Sequence, residues 1–423
     1  MDNRQKLVIN GGKRLEGEIA VQGAKNSALP LLSAAVLAHG ESIFTGCPRL
    51  TDVDAACRIL SKLGCRCSRS GDTVTVDAST VSGFEIPDSL MREMRSSIVF
   101  LGAVLGRKGK CRLTFPGGCE LGARPIDLHL SALRQMGTVI TEEHGYINCS
   151  AEGGLHGAKI TLSFPSVGAT ENILLAASTA KGETEIHNAA REPEIVDLAD
   201  CLTEFGAKIK GAGESVIVVE GVERLYPAEH RVIPDRIVAA TYLCAAAITR
   251  GEIILTHCEP SHMNGFLPVL EAMGARVYSY GDGKIYLNCR KRLTAPPTVR
   301  TMPYPGFPTD AQAPFTALCS TAEGTSVFVE TIFENRFRHI PELIRLGASA
   351  KVEGRVCVVS GVERLSGAQV CASELRGGAA LVVAGLAAEG TSEIGGVNFI
   401  ERGYESIERD LRSLGADIKI RTV

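Results

Sequence analysis

The sequence predicts an α/β protein of two lobes, each holding three copies of one β-α-β-α-β-β unit, and three observations predict it. A helix-ending phrase that opens on leucine and closes on glycine stands at 60–64, 133–137, 202–206, 270–274, 343–347 and 411–415, at intervals of 68 to 73 residues. An alanine-rich run closed by glycine and followed by a strand-like segment marks Gly40, Gly109, Gly182, Gly251, Gly324 and Gly390. The pentapeptide Gly-Val-Glu-Arg-Leu begins at 221 and again at 361, two units apart. A fixed period of this kind is the signature of one supersecondary unit copied along the chain.

The first unit shows what each copy contains. Residues 26–38 are apolar on nearly every side, so this helix belongs in an interior against sheet and sister helices. A strand follows at 41–45, then a more amphipathic helix at 51–63 that ends at Gly64, a residue that tolerates the left-handed turn closing a helix. Two short strands come next, at 65–68 and 73–77, before a last strand leads into the following unit. Six units do not readily share one core. The strand at 17–21 has no unit before it, and the sixth unit lacks a closing strand. These ends predict a lobe over 24–233 and a second joining 1–23 to 234–423, with Pro234 near the crossing.

Composition narrows the function. The chain has 423 residues, 45% hydrophobic and 22% charged, with a net charge of −3 and a pI near 6.3. That balance reads as a globular protein and gives no support to a nucleic-acid or acidic-membrane partner. The first residues carry no apolar signal segment, and runs such as 379–388 are too short to span a bilayer. A cytoplasmic location is expected. The 14 cysteines are scattered, with no CxxC pair or His/Cys cluster to suggest a structural metal.

Charge falls on the repeat in a pattern. Fourteen residues before each marker glycine stand Asn26, Arg95, Gly168, Ile237, Asp310 and Arg376, with Lys25 and Arg236 one place earlier. These are starts of the apolar helices, where a cation opposes the positive end of the helix dipole unless an anion is also there. Asp310 and Ser166 read equally well as ordinary helix caps. The second helix is expected to begin with arginine in five of the six units, as Arg49, Arg124, Arg191, Arg336 and Arg402. Brought together, such cations suit a small anionic ligand carrying phosphate and carboxylate groups.

The second unit is longer than its sisters between its two marker glycines, and the excess falls on the Gly- and Pro-rich stretch 116–125. It carries Cys119 five residues before Arg124. An insertion in one copy of a repeat marks a functional face, and a nearby cation favours the thiolate, so Cys119 reads as a catalytic thiol. The competing reading is a turn that happens to carry a cysteine.

These residues together resemble the enolpyruvyl transferases, and among them those that use UDP-N-acetylglucosamine as acceptor. The resemblance spans the chain and is most specific at 23–26, 116–129, 307–310 and 333–337. It implies an inside-out α/β barrel-like fold of two three-repeat lobes with the active site in the cleft between them, closing on substrate as the Cys119 loop folds over. It implies addition of the sugar 3-hydroxyl to phosphoenolpyruvate and elimination of phosphate, the first committed step of peptidoglycan synthesis. No metal or organic cofactor is implied, and the partners are two small molecules.

The same resemblance assigns roles. Asp310 matches the general base near the attacking hydroxyl. Cys119 matches the residue that protonates C3, forms a phospholactoyl adduct and is alkylated by fosfomycin-type epoxides. Lys25, Arg124 and Arg402 match the cations on phosphate and carboxylate, with Arg95 and Arg376 beside them and Asn26 on the intermediate. Arg95, Arg124, Pro125, Ile126, Asp127, Leu128, Ser166, Val167, Gly168, Asp310 and Ile332 match contacts to the nucleotide sugar. Three positions depart from the pattern. Glu374 and Glu401 stand where aspartate is frequent, and Phe164 where some members carry lysine. Two other readings remain open from the residues: transfer to shikimate 3-phosphate by a sister enzyme, which has no use for the 116–119 loop, and a silent paralogue that only binds a nucleotide sugar.

Overall fold

A computed structural model describes residues 5–117 and 126–422. The chain forms two compact units, one from residues up to 22 together with 234 onward, the other from the described residues of 23–233. Each unit holds three separate small sheets.

The sheets share one plan. A short strand lies parallel to a central strand, and a hairpin pairs antiparallel on its other side. In the unit built on 23–233, Glu229–Arg231 leads Glu41–Thr45, followed by Thr73–Asp77 and Arg66–Ser70. Lys159–Thr161 leads Glu183–His187 in the same way, followed by Val216–Glu220 and Lys208–Lys210. The remaining sheet, Lys110–Thr114 with Tyr146–Ser150 and Val139–Glu143, has a single parallel bridge from Glu85 to Arg112 in place of a leading strand. The last strand of one repeat thus becomes the edge of another repeat's sheet. Glu229–Arg231, at the end of the third repeat, returns to the first.

The other unit solves its odd ends by the same rule. Glu16–Ala20, the strand with no unit before it, runs parallel to Glu252–Thr256 as the leading strand of the fourth repeat. Gln5–Asn10 pairs antiparallel with both Thr391–Gly395 and Asp417–Thr422, so the N-terminal segment supplies the strand that the sixth repeat lacks.

Helices rather than strands take the middle. Arg236–Ile248, Thr309–Cys319 and Leu375–Ala387 pack on one another and are buried nearly all round. In the other unit Phe100–Lys108 packs against Val167–Ala177, and Lys25–Ala34 against Pro193–Glu204. Small residues allow this: alanine and glycine dominate Leu375–Ala387. Each Leu or Val buried there contributes about 1.5–3 kcal/mol relative to exposure. The recurring Leu-to-Gly phrase has a backbone cause. Gly64, Gly137, Gly206, Gly274, Gly347 and Gly415 all take φ between 91° and 102°, the left-handed conformation that turns the chain out of the helix. All described cysteines are free thiols, and no cluster of metal-ligating residues occurs among the described residues.

Candidate active site

The apolar helix starts fall where the spacing put them, and they divide into two kinds. Ser166, Asp235 and Glu374 cap their own helices. Ser166 accepts from Ala169 N (3.3 Å), Asp235 from Ile237 N (2.9 Å) and Val238 N (3.0 Å), and Glu374 from Arg376 N (2.8 Å) and Gly377 N. Ala24, Met94 and Pro308 precede the other three starts and offer no side-chain cap. Lys25, Arg95 and Asp310 sit at those uncapped starts. Ser166 is therefore an ordinary cap and Asp310 is not.

In the unit built on 23–233, Lys25 opens helix Lys25–Ala34 almost fully buried. Its Nζ lies 2.7 Å from Asp52 Oδ2, on the first turn of helix Thr51–Lys62, and both side chains are about nine-tenths or more out of solvent (11% and 4% exposed). The anion that a cation at a helix start requires is thus supplied in part by the protein. Asn26, the next residue, is exposed. Ser27 anchors the same turn by donating to Asp197, whose other oxygen meets His230 Nε2 at 3.0 Å, while His230 Nδ1 meets Glu204 at 2.8 Å. Burial alone would lower the His230 pKa; the two carboxylates outweigh it and hold it above the usual histidine value.

Arg95 opens the short helix Arg95–Val99 and donates to Pro116 O (3.4 Å), at the foot of the Cys119 stretch. Gly117 N is bound to Met91 O (3.1 Å), and a Cβ on Gly117 would stand 2.6 Å from Arg92 O. Only glycine permits that approach. Cys119, Arg124 and Pro125 lie outside the described residues. Beyond them Ile126 is buried, Leu128 half-buried and Asp127 exposed as the first residue of helix Asp127–Gln135. His129 packs under Gly168, whose added Cβ would lie 3.1 Å from the ring. Gly102 N donates to Asn172 Oδ1 (2.6 Å), which fixes the amide, so Asn172 Nδ2 donates to His129 Nδ1 (2.8 Å). The proton of the neutral ring is therefore on Nε2. Burial first, then the charge of Arg95, lowers the His129 pKa to about 4.

Glu171 is buried one turn into helix Val167–Ala177. Burial, then Glu194 and Glu192, push its carboxyl up to about 8. A folded pKa above the unfolded value of about 4.5 means that the folded state holds a proton the unfolded chain gives up. Its contribution is full below pH 4.5 and is lost as pH rises through 8. Glu171→Gln is expected to raise the melting temperature little at pH 5 and progressively more towards pH 8, read by thermal scans across that range. A difference independent of pH would reject this account.

In the other unit Asp310 is the meeting point. Its Oδ1 lies 2.9 Å from Arg336 Nη2, and its Oδ2 lies 3.1 Å from Arg376 Nη2 and 3.3 Å from Arg376 Nε. Both arginines are buried, at 1% and 3% side-chain exposure, whereas Asp310 keeps 28%. Arg336 also donates to Thr309 O. Burial opposes the charge on Arg376, but Asp310, Tyr404 and Asp235 outweigh it and raise its pKa. Tyr404 OH is 2.8 Å from Thr241 Oγ1 and 3.5 Å from Arg376 Nη1.

Two residues that the sequence did not single out hold this unit's site in shape. Glu330, 1% exposed, accepts from Ile332 N (2.8 Å), Phe333 N (3.0 Å) and Thr309 Oγ1 (3.0 Å), so it ties half-buried Ile332 to the start of the Asp310 helix. Gln22 donates to Gly403 O (3.2 Å) and accepts from Glu405 N (2.9 Å), pinning the turn that presents half-buried Arg402. Burial raises the pKa of the neighbouring Glu401. Glu374, with its longer arm than aspartate, is spent on its helix cap.

The arginines expected to open the second helices are corrected in two ways. Arg49, Arg191, Arg336 and Arg402 lie in the loops before those helices, Arg124 lies outside the described residues, and Arg49, Arg191 and Arg336 are engaged by the protein itself. Arg49 donates to Gly71 O (3.2 Å) and Arg191 to Gly213 O (3.0 Å), the same bond to a hairpin turn in two repeats. They are loop pins, and Arg336 is a buried partner of Asp310.

The family model for EPSP synthase (3-phosphoshikimate 1-carboxyvinyltransferase) matches residues 9–411. The chain belongs to this family of enolpyruvyl transferases. The transferase is 52% identical over 413 residues to UDP-N-acetylglucosamine 1-carboxyvinyltransferase 2 of Caldanaerobacter subterraneus subsp. tengcongensis, covering 98% of this chain and 99% of the relative. It is 48% identical to UDP-N-acetylglucosamine 1-carboxyvinyltransferase of Shewanella amazonensis, with coverage of 98% and 99%. Among solved structures, the enolpyruvyl transferase NikO from Streptomyces tendae superposes with a TM-score of 0.89 at 27% identity, covering 99% of each chain. An EPSP synthase from Acinetobacter baumannii superposes at 0.77 and 20% identity over 99% of each chain, a likeness of fold. No helix among the transferase's described residues is long and apolar enough to cross a membrane.

Proposed function

We propose that this transferase moves the enolpyruvyl group of phosphoenolpyruvate to the 3-hydroxyl of UDP-N-acetylglucosamine and releases phosphate, the first committed step of peptidoglycan synthesis. The observation that carries the acceptor is identity of 46–52% over 98% of the chain to relatives named for that reaction. In this reading it works in the cytoplasm, a compartment that suits a chain whose described cysteines are all free thiols.

The residues take the following parts. Asp310 accepts the proton of the sugar 3-hydroxyl as that oxygen attacks C2 of phosphoenolpyruvate. Its carboxylate, held by Arg336 and Arg376, is the acidic group at the start of helix Thr309–Cys319 that can accept that proton. Cys119 gives a proton to C3, and a tetrahedral intermediate results. Its collapse breaks the C2–O bond to phosphate, and C3 gives a proton back as the double bond reforms. Lys25, Arg124 and Arg402 hold the phosphate and carboxylate and stabilise the charge that develops as phosphate departs. The start of helix Lys25–Ala34, which has no side-chain cap from Ala24, supports that part, because the positive end of a helix dipole favours a phosphate oxygen. Arg95 and Arg376 stand beside this cluster and Asn26 on the intermediate. Ile126, Asp127, Leu128, Ser166, Val167, Gly168 and Ile332, with Arg124 and Pro125, contact the nucleotide sugar.

The test is phosphate release from phosphoenolpyruvate with UDP-N-acetylglucosamine or shikimate 3-phosphate as acceptor. Release is expected with the nucleotide sugar alone, and Cys119→Ala is expected to slow it by about 10²-fold or more. Release with shikimate 3-phosphate would overturn the acceptor. An unimpaired Cys119→Ala variant would overturn the proton donor.

A further inference from the structure

Behind the start of helix Lys25–Ala34 runs a chain of polar contacts that the reaction steps do not use. Ser27, two residues after Lys25, donates to Asp197 Oδ2 on helix Pro193–Glu204. Asp197 Oδ1 lies 3.0 Å from His230 Nε2, and His230 Nδ1 lies 2.8 Å from Glu204 Oε2. Asp197 and His230 are 4% and 7% exposed, whereas Glu204 keeps 46% and reaches solvent. A ring that faces a carboxylate oxygen at each nitrogen donates from both, and that takes the imidazolium.

The groups around the ring favour that charge. Helix Pro193–Glu204 turns Asp197 and Glu204 to it, and exposed Asp200 adds to the same negative field. Strand Glu41–Thr45 sets buried Phe44 in register with His230, while Glu229 and Arg231, its neighbours along the strand, are exposed on the other face. Burial works against the charge on His230, and the two carboxylates it touches outweigh burial. The charge matters at the helix start. Two buried carboxylates stand beside that turn, Asp52 on Lys25 and Asp197 on Ser27. An uncompensated negative charge there would repel an incoming phosphate, because water is too scarce in the interior to screen it. His230 offsets the second of them.

We propose that Asp197 and His230 are positioning residues for the phosphate of phosphoenolpyruvate: Asp197 holds the turn that carries Lys25, and the His230 imidazolium holds Asp197 and offsets its charge. This rests on the reading in which Lys25 meets that phosphate.

The test compares wild type with His230→Gln, whose amide keeps an N–H for Asp197 but carries no charge. KM for phosphoenolpyruvate and kcat are read by phosphate release at saturating UDP-N-acetylglucosamine, from pH 6.5 to pH 9. At pH 6.5 the variant's KM is expected to be about three- to tenfold above wild type, with kcat within about twofold. The His230 pKa is raised on folding, so wild type keeps the imidazolium below the usual histidine value and loses it as pH rises through the folded one. The ratio of the two KM values should therefore shrink towards one at pH 9. Ser27→Ala leaves every charge in place and suits a helix, so it decides the matter if His230→Gln fails to fold. It frees the turn from Asp197 and should raise KM about threefold at every pH. A KM ratio for His230→Gln that stays constant with pH would overturn the proposal, since a merely structural loss has no reason to follow the histidine charge. An unchanged KM in either folded variant would overturn it as well. Both results, beside a wild type that turns over, leave the reaction standing. No phosphate release by wild type with the nucleotide sugar would overturn the reaction, and the positioning role with it.

Discussion

Asp310→Asn is expected to lower kcat by about 10²–10⁴-fold, the range in which a general base contributes. It does more than remove a base. The carboxylate lies within 3.1 Å of two guanidinium groups that are 1% and 3% exposed, and an amide leaves both charges without that counterion. Breaking a buried pair of this kind costs about 3–5 kcal/mol, so the melting temperature should fall as well. A slow enzyme and a poorly folded one must therefore be separated. Arg336→Met, added to Asp310→Asn, removes one of the orphaned charges and should recover much of the lost melting temperature. It should not recover kcat. If the double variant returned to within about tenfold of wild type, Asp310 would be a counterion alone and the base would have to be sought elsewhere.

The same pair of arginines shows where sequence reading reaches and where it stops. The helix starts were legible because the spacing to the marker glycines is conserved inside the chain itself, and Lys25, Arg95 and Asp310 followed from counting. What occupies each start was not legible. Ser166 and Asp310 looked alike as caps, yet a cap is decided by which amide the oxygen reaches; Asp310 turns instead to Arg336 and Arg376, 26 and 66 residues away in sequence. Glu330 gave no signal, since a glutamate closing a strand looks like a solvated residue until its three bonds are seen. Gln22 was hidden for the same reason. Arg49 and Arg191 misled in the other direction: periodic arginine suggested a ligand, and in those two repeats the arginine pins a hairpin turn instead. Strand exchange was half legible. The unmatched strand near residue 17 showed that something was owed to another unit, but only pairing shows that 5–10 completes the sixth sheet and 16–20 begins the fourth.

Lys25→Met tests how much of the predicted anion site is ligand chemistry. In the folded protein Lys25 Nζ already lies 2.7 Å from a carboxylate that is 4% exposed. Its removal should therefore act twice. Phosphate release should become nearly undetectable at phosphoenolpyruvate concentrations that saturate wild type. The melting temperature should also fall on the order of 10 °C, because an ionised Asp52 would be left buried beside a methyl group. Asp52→Asn in the same chain removes the stranded charge and should restore most of that fall. Catalysis should stay lost, because a neutral methionine beside a neutral asparagine still offers no cation to the departing phosphate. Phosphate release restored by the second substitution would make Lys25 a structural partner of Asp52 and leave the phosphate to other cations. The expected result, stability regained without turnover, would mean that the buried carboxylate holds the lysine in place so that its charge meets the substrate.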